Sequence, residues 1–79
     1  MVTVFTKPGC QPCRATIRKL NQLGVTYHRV DITQDETGRE RIADLGYSQA
    51  PVVLVDDDIH WSGYKPDRCN QLAADVQDS

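Results

Sequence analysis

The chain has 79 residues, of which 39% are hydrophobic and 25% charged, and a formal net charge of −2. That length suits one small domain that buries about 60–65% of its unfolded surface, with no room for a second domain or a large cofactor pocket. The mild acidity, without any run of Lys or Arg, excludes a nucleic-acid binder, and no stretch approaches membrane-spanning length.

The first six residues alternate and are rich in β-branched side chains, which predicts a strand over 1–6. Lys7-Pro8-Gly9 breaks it. Helical periodicity then runs over 12–23, with Cys13, Ile17, Leu20 and Gly24 on one side and Arg14, Arg18 and Asn21 opposite. Pro12 suits a first-turn position, because its missing N–H has no intrahelical partner there, and Gly24 is a good stop. A second strand is expected over 26–32. Thr33-Gln34-Asp35-Glu36 matches a capping box and predicts a short helix running to about Leu45.

Residues 52–55 and 59–61 flank Asp56, Asp57 and Asp58 and read as a β-hairpin. Pro66 and Asp67 then open a third helix with Cys69, Leu72, Ala73 and Val76 at helical spacing. The order is β-α-β-α-β-β-α: an α/β domain over 1–76, with 77–79 as a short flexible tail. The opening β-α-β unit should be parallel and right-handed.

Cys10-Gln11-Pro12-Cys13, at the first strand-to-helix junction, carries the chemistry. A bridge across so short a loop stabilises by about 2 kcal/mol at most, so the pair has more to offer in redox exchange than as a staple. Three cysteines also fit poorly with a disulfide-stapled secreted fold. Cys10 should stand just before the helix, where unpaired N–H groups and the dipole favour an anion, and Lys7 adds a nearby positive charge. Cys10 is therefore the expected nucleophile and Cys13, one turn in on the apolar side, the resolving thiol.

Cys69 lies in an apolar stripe and reads as a buried thiol. A zinc site would need two ligands more than Cys10 and Cys13, and Cys69, His28 and His60 lack ligand spacing, so no metal is expected. The Asp56–Asp58 run reads as a solvated hairpin tip and not a calcium loop. Ala50-Pro51 opens the third strand, and local sequence favours a trans bond there. The aromatics of Trp61-Ser62-Gly63-Tyr64-Lys65-Pro66 either cap the core or meet partners.

Across nearly its whole length the chain resembles glutaredoxins, and among them the NrdH-type redoxins. Thr6-Lys7-Pro8-Gly9-Cys10 is similar to the glutaredoxin approach to the active site. Ala15-Thr16, Val30-Asp31-Ile32 and Gln49-Ala50-Pro51-Val52-Val53 resemble NrdH-type sequence, and Trp61-Ser62-Gly63-Tyr64-Lys65-Pro66 is similar to that group's Trp-Ser-Gly-Phe-Arg-Pro signature.

The resemblance implies a thioredoxin fold with a four-stranded mixed sheet and three helices. It also implies a monomeric dithiol–disulfide oxidoreductase without a bound cofactor. Such a protein passes electrons to the large subunit of class Ib ribonucleotide reductase and is itself reduced by thioredoxin reductase, ultimately from NADPH. Because no apolar segment precedes the first strand, the expected location is the cytoplasm. The resemblance further implies that Pro51 is cis and lies against the cysteines, with Ala50 and Val52 offering backbone to an extended partner. Gln11, Pro12, Trp61, Ser62, Gly63, Tyr64 and Lys65 complete the expected partner-binding set.

Two departures stand out. NrdH-type motifs usually carry Val-Gln where this chain has Gln11-Pro12. Glutathione-using glutaredoxins tend to have a Gly-Gly turn and acids where Ser62-Gly63-Tyr64-Lys65 stands here, although Asp67 remains. A glutathione-dependent glutaredoxin is therefore the alternative reading. An iron–sulfur carrier is a further one, weakened by Cys13.

Overall fold

The structure, a computed structural model, describes residues 2–77. The elements run β1 (Val2–Thr6), α1 (Gln11–Gln22), β2 (Tyr27–Asp31), α2 (Glu36–Asp44), β3 (Val52–Leu54), β4 (His60–Ser62) and α3 (Pro66–Gln77). Met1, Asp78 and Ser79, which the sequence reading placed in the first strand and the tail, lie outside the described residues.

The four strands form one mixed sheet in the order β2-β1-β3-β4. β1 runs parallel to β2 and antiparallel to β3, and β3 is antiparallel to β4. The parallel pair is the expected β-α-β unit, because α1 carries the chain back over the sheet. Strand alternation then divides the side chains between two cores. Val2, Val4, Val53 and Trp61 join Leu20 of α1 and Cys69, Leu72 and Ala73 of α3 on one face. Phe5 and Val52 meet Ile42 of α2 on the other. Val4, Leu20 and Val53 are wholly enclosed, and each such side chain contributes about 1.5–3 kcal/mol.

The ends of α1 and α2 are built alike. Each starts at an extended residue whose side chain accepts the N–H three residues on: Cys10 for α1 and Asp35 for α2. Each closes on a left-handed glycine, Gly24 or Gly46. The following residue bonds back five positions, Val25 N–H to the Leu20 carbonyl and Tyr47 N–H to the Ile42 carbonyl. That is the Schellman closure, and the residues it joins pack together in their respective cores.

Two details differ from expectation. The cap of α2 is Asp35 and not Thr33, since Asp35 Oδ1 accepts from Gly38 N–H at 2.8 Å. Thr33 is held instead by Asp31, whose Oδ1 accepts from the Thr33 hydroxyl at 2.6 Å and its N–H at 2.8 Å. These bonds pull the Asp31 carboxyl below its ordinary pKa, with smaller help from Arg29. The hairpin strands also differ slightly in extent, with β3 ending at Leu54 and β4 running from His60 to Ser62. The acidic turn closes on itself, because Asp56 Oδ1 accepts the N–H groups of Asp58 and Ile59 at 2.8 Å. Asp57 pairs with Arg41 at 3.0 Å.

Candidate active site

β1 ends at Thr6, and a turn with Gly9 at φ +70° delivers Cys10 to the N-terminus of α1. Glycine alone adopts that backbone angle at no steric cost. Cys10 is the N-cap and Cys13 the third helical residue, so the helix itself sets the spacing of the two sulfurs. They form a disulfide, with Cα atoms 5.2 Å apart. The Cys13 N–H donates to Cys10 Sγ at 3.2 Å, in the position where α2 places a carboxylate oxygen. A group that an N-terminal N–H and the helix dipole both favour as an anion is poised for thiolate chemistry.

Both cysteines are largely covered, Cys10 at 5% and Cys13 at 2% residue exposure, whereas Lys7, Gln11 and Pro12 around them are exposed. One turn below Cys13, Thr16 is fully buried and its hydroxyl donates to the Pro12 carbonyl at 2.9 Å. Sequence reading did not single out Thr16 as a core residue. Its position on the Cys13–Leu20 stripe was the available signal.

The Ala50–Pro51 bond is cis, and the Ala50 carbonyl oxygen lies 4.0 Å from Cys10 Sγ. The sheet explains the approach: β3 is next to β1, so the start of β3 and the end of β1 lie at the same edge of the molecule. Val52 faces Phe5 on one side and Ser62 on the other, and its side chain is buried. Ala50, just before the strand, is thus the backbone that borders the sulfur. Gly63 N–H donates to the Pro51 carbonyl at 2.9 Å and the Ser62 hydroxyl to the Gln49 carbonyl at 3.3 Å. Those two bonds tie the 62–65 loop to the cis-proline segment.

The 61–66 segment divides. Trp61 lies in the core at 3% exposure, beneath Arg68, whose guanidinium carbon stands 5.2 Å from the ring. Its buried indole Nε1 has no hydrogen-bond partner among the described residues. Tyr64 is 42% exposed and is the accessible aromatic ring. His60 is held by Tyr47, with 2.7 Å between the Tyr47 hydroxyl and Nδ1. His28 is exposed on the edge strand. Cys69 is free and fully buried, and burial pushes its thiol pKa up, against a smaller opposing pull from Lys19. Its burial puts the third thiol out of reach.

A redox-active cysteine pair at the start of α1, set against a cis-proline over a four-stranded mixed sheet, defines a thioredoxin-fold dithiol oxidoreductase. The glutaredoxin sequence profile matches residues 2–61. The gene 56 protein of Mycobacterium phage D29 is 35% identical over 72 residues, spanning 90% of this chain and 80% of its own length. The glutaredoxin-like protein NrdH of Escherichia coli K12 is 31% identical over 71 residues, spanning 90% and 86%. The solved NrdH-redoxin of Escherichia coli, described as having a thioredoxin-like activity profile, superposes with a TM-score of 0.83 over 90% of this chain and 92% of its own. The chain belongs to the glutaredoxin family, among its NrdH-type members.

No described helix is long and apolar enough to cross a membrane.

Proposed function

We propose that this protein is a reductant of protein disulfides that serves the large subunit of class Ib ribonucleotide reductase. It is re-reduced by NADPH-dependent thioredoxin reductase and works as a monomer in the cytoplasm. The observation that carries the reading is the Cys13 N–H donating to Cys10 Sγ at 3.2 Å on a helix N-cap beside the Ala50 carbonyl. Cys10, as the thiolate, attacks one sulfur of the partner disulfide and expels the other as a thiolate. Cys13 then loses its proton and attacks Cys10 Sγ, breaking the mixed disulfide and releasing the partner's second sulfur. Two electrons and the Cys13 proton pass to the partner, whose remaining thiolate takes its proton from solvent, and the Cys10–Cys13 bond forms.

In this reading Lys7 favours the thiolate electrostatically. Pro51 shapes the surface on which an extended partner segment runs past Ala50 and the start of Val52. Gln11, Pro12, Ser62, Gly63, Tyr64 and Lys65 meet that segment at the surface, and Trp61 supports the loop from beneath. The exposed Tyr64 ring and Lys65 stand where a glutathione user would offer small and acidic residues, which supports a protein partner. The thioredoxin-like activity profile described for the Escherichia coli NrdH-redoxin supports thioredoxin reductase as the electron source.

The test follows NADPH consumption by the reduced protein with class Ib ribonucleotide reductase, supplied either by thioredoxin reductase or by glutathione and glutathione reductase. Turnover with thioredoxin reductase is expected, and turnover confined to the glutathione arm would overturn the reading. In the same mixture Cys13→Ser should accumulate a mixed disulfide with the reductase subunit, visible by intact-mass spectrometry.

A further inference from the structure

The net charge of −2 conceals a separation of charge across the sheet. At the β2 edge, a groove of about 430 Å³ opens between the outer side of α1 and the strand, lined by Arg14, Ile17, Arg18, Asn21, Gln22 and Arg29. Among the described residues no carboxylate lines it. At the opposite edge, the larger groove between the hairpin tip and α3 carries Asp56, Asp58 and Asp75 with a single cation, Arg68, in its lining. The strand order β2-β1-β3-β4 keeps the two apart.

The basic groove is not explained by the stability of α1. Arg14 and Arg18 stand one turn apart, where like charges repel. Arg14 also lies near the positive end of the helix dipole, a poor place for a cation, and the first turn of α1 holds no acid. Among the described residues neither arginine makes an ion pair, and Arg29 interacts with the partly buried carboxylate of Asp31, the last residue of β2, without an ion-pair contact. The polar lining is arranged to donate. Asn21 Oδ1 accepts from the Tyr27 hydroxyl at 2.8 Å, which leaves its amide N–H groups for the groove beside three guanidiniums. Guanidiniums bind carboxylates through paired N–H donors.

The groove begins one residue beyond the redox pair along α1, since Arg14, which lines it, follows Cys13. From Arg14 to Asn21 the helix rises about 10 Å, the length of three extended residues. We propose that this groove docks a carboxylate-rich segment flanking the disulfide of the partner protein, so that acidic partners are reduced in preference to neutral ones. The proposal rests on the reading that Cys10 attacks a protein disulfide, and it names the chemistry of that protein near its disulfide.

Two measurements separate the proposal from that reading. In the first, a fluorescein-labelled Glu-rich peptide without cysteine is titrated with the oxidised protein and followed by anisotropy. Binding should weaken about tenfold in the Arg18→Gln/Arg29→Gln variant and with added salt. Both arginines are exposed, so the variant should melt with the wild type. In the second, the reduced protein meets two peptides with the same internal disulfide, one flanked by Glu and one by Gln. The Glu peptide should react about tenfold faster, an advantage the variant loses.

Equal binding by wild type and variant, or equal rates for the two peptides, would overturn the docking site and leave the reductase reading standing. Arginine-dependent binding without reduction of either peptide would overturn the reductase reading and keep the groove. A single-stranded oligonucleotide that displaces the Glu peptide at lower concentration than unlabelled Glu peptide would also overturn the proposal.

Discussion

Helices α1 and α2 are made by the same local devices and put to different uses. Both begin at an extended N-cap whose side chain takes the N–H of the third helical residue, and both end on a left-handed glycine in a Schellman closure. The difference is the capping atom. In α2 it is a carboxylate oxygen at 2.8 Å, a stabilising cap worth about 0.5–2 kcal/mol. In α1 it is a sulfur at 3.2 Å, on a buried residue beside the cis-proline segment, whereas Asp35 is exposed. The redox pair thus begins on a helix cap in which a sulfur stands where α2 has a carboxylate oxygen, and in the proposed reaction the anion that a cap favours is the nucleophile.

Exchanging the capping atoms breaks the comparison most sharply. Cys10→Ser keeps a competent cap but supplies no thiolate, so disulfide reduction should fall to background, by more than about 1,000-fold. Its melting temperature should stay near that of the reduced wild type. Retained turnover above a tenth of wild type would remove Cys10 from the nucleophile's role.

The next largest effect should come from the floor of α2. A Cβ built on Gly38 would meet Val30 Cγ1 at 2.8 Å, so in Gly38→Ala either the Val30 side chain must leave its packed position or α2 must move off β2. Chemical denaturation should show a loss of about 1–3 kcal/mol, with the intrinsic rate of disulfide reduction unchanged in the folded fraction. A neutral or stabilising outcome would mean that Val30 or α2 shifts freely on the sheet.

The smallest is Asp35→Ala, which removes the cap of α2 alone. It should cost about 1 kcal/mol of stability, read as a lower denaturation midpoint, and leave the reductase rate at the wild-type level. Asp35→Asn should restore much of the loss, since the amide oxygen can accept the same N–H. An activity defect in Asp35→Ala at full folding would show that the two helix starts are coupled.

Much of this was legible in sequence because it is local. Alternation marks β1, glycines mark both helix ends, and a cysteine pair with proline in the first turn marks the start of α1. The capping box was misplaced by two residues for a local reason as well. Thr33 and Asp35 can both cap, and the choice fell to Asp35 because Asp31 already engages the Thr33 hydroxyl and N–H. Thr16 was missed because a hydroxyl in a helix reads as polar, whereas here it bonds the carbonyl four residues back and can then be enclosed. Trp61 was ambiguous from sequence, and its place under Arg68 depends on strand β4 packing against α3.

By itself the sequence determined that this is a small α/β domain with a redox pair at a helix start, because spacing along the chain sets helix, strand and cap. The tertiary structure alone decided what surrounds the pair. Ala50 is forty residues from Cys10 in sequence yet 4.0 Å away at its carbonyl, because the sheet order brings β3 beside β1. Arg29 joins Arg14 and Arg18 in one groove for the same reason, since β2 forms the edge over which α1 lies. Which atoms face the sulfur, and which charges a partner meets beside it, are consequences of strand order, and no local pattern contains them.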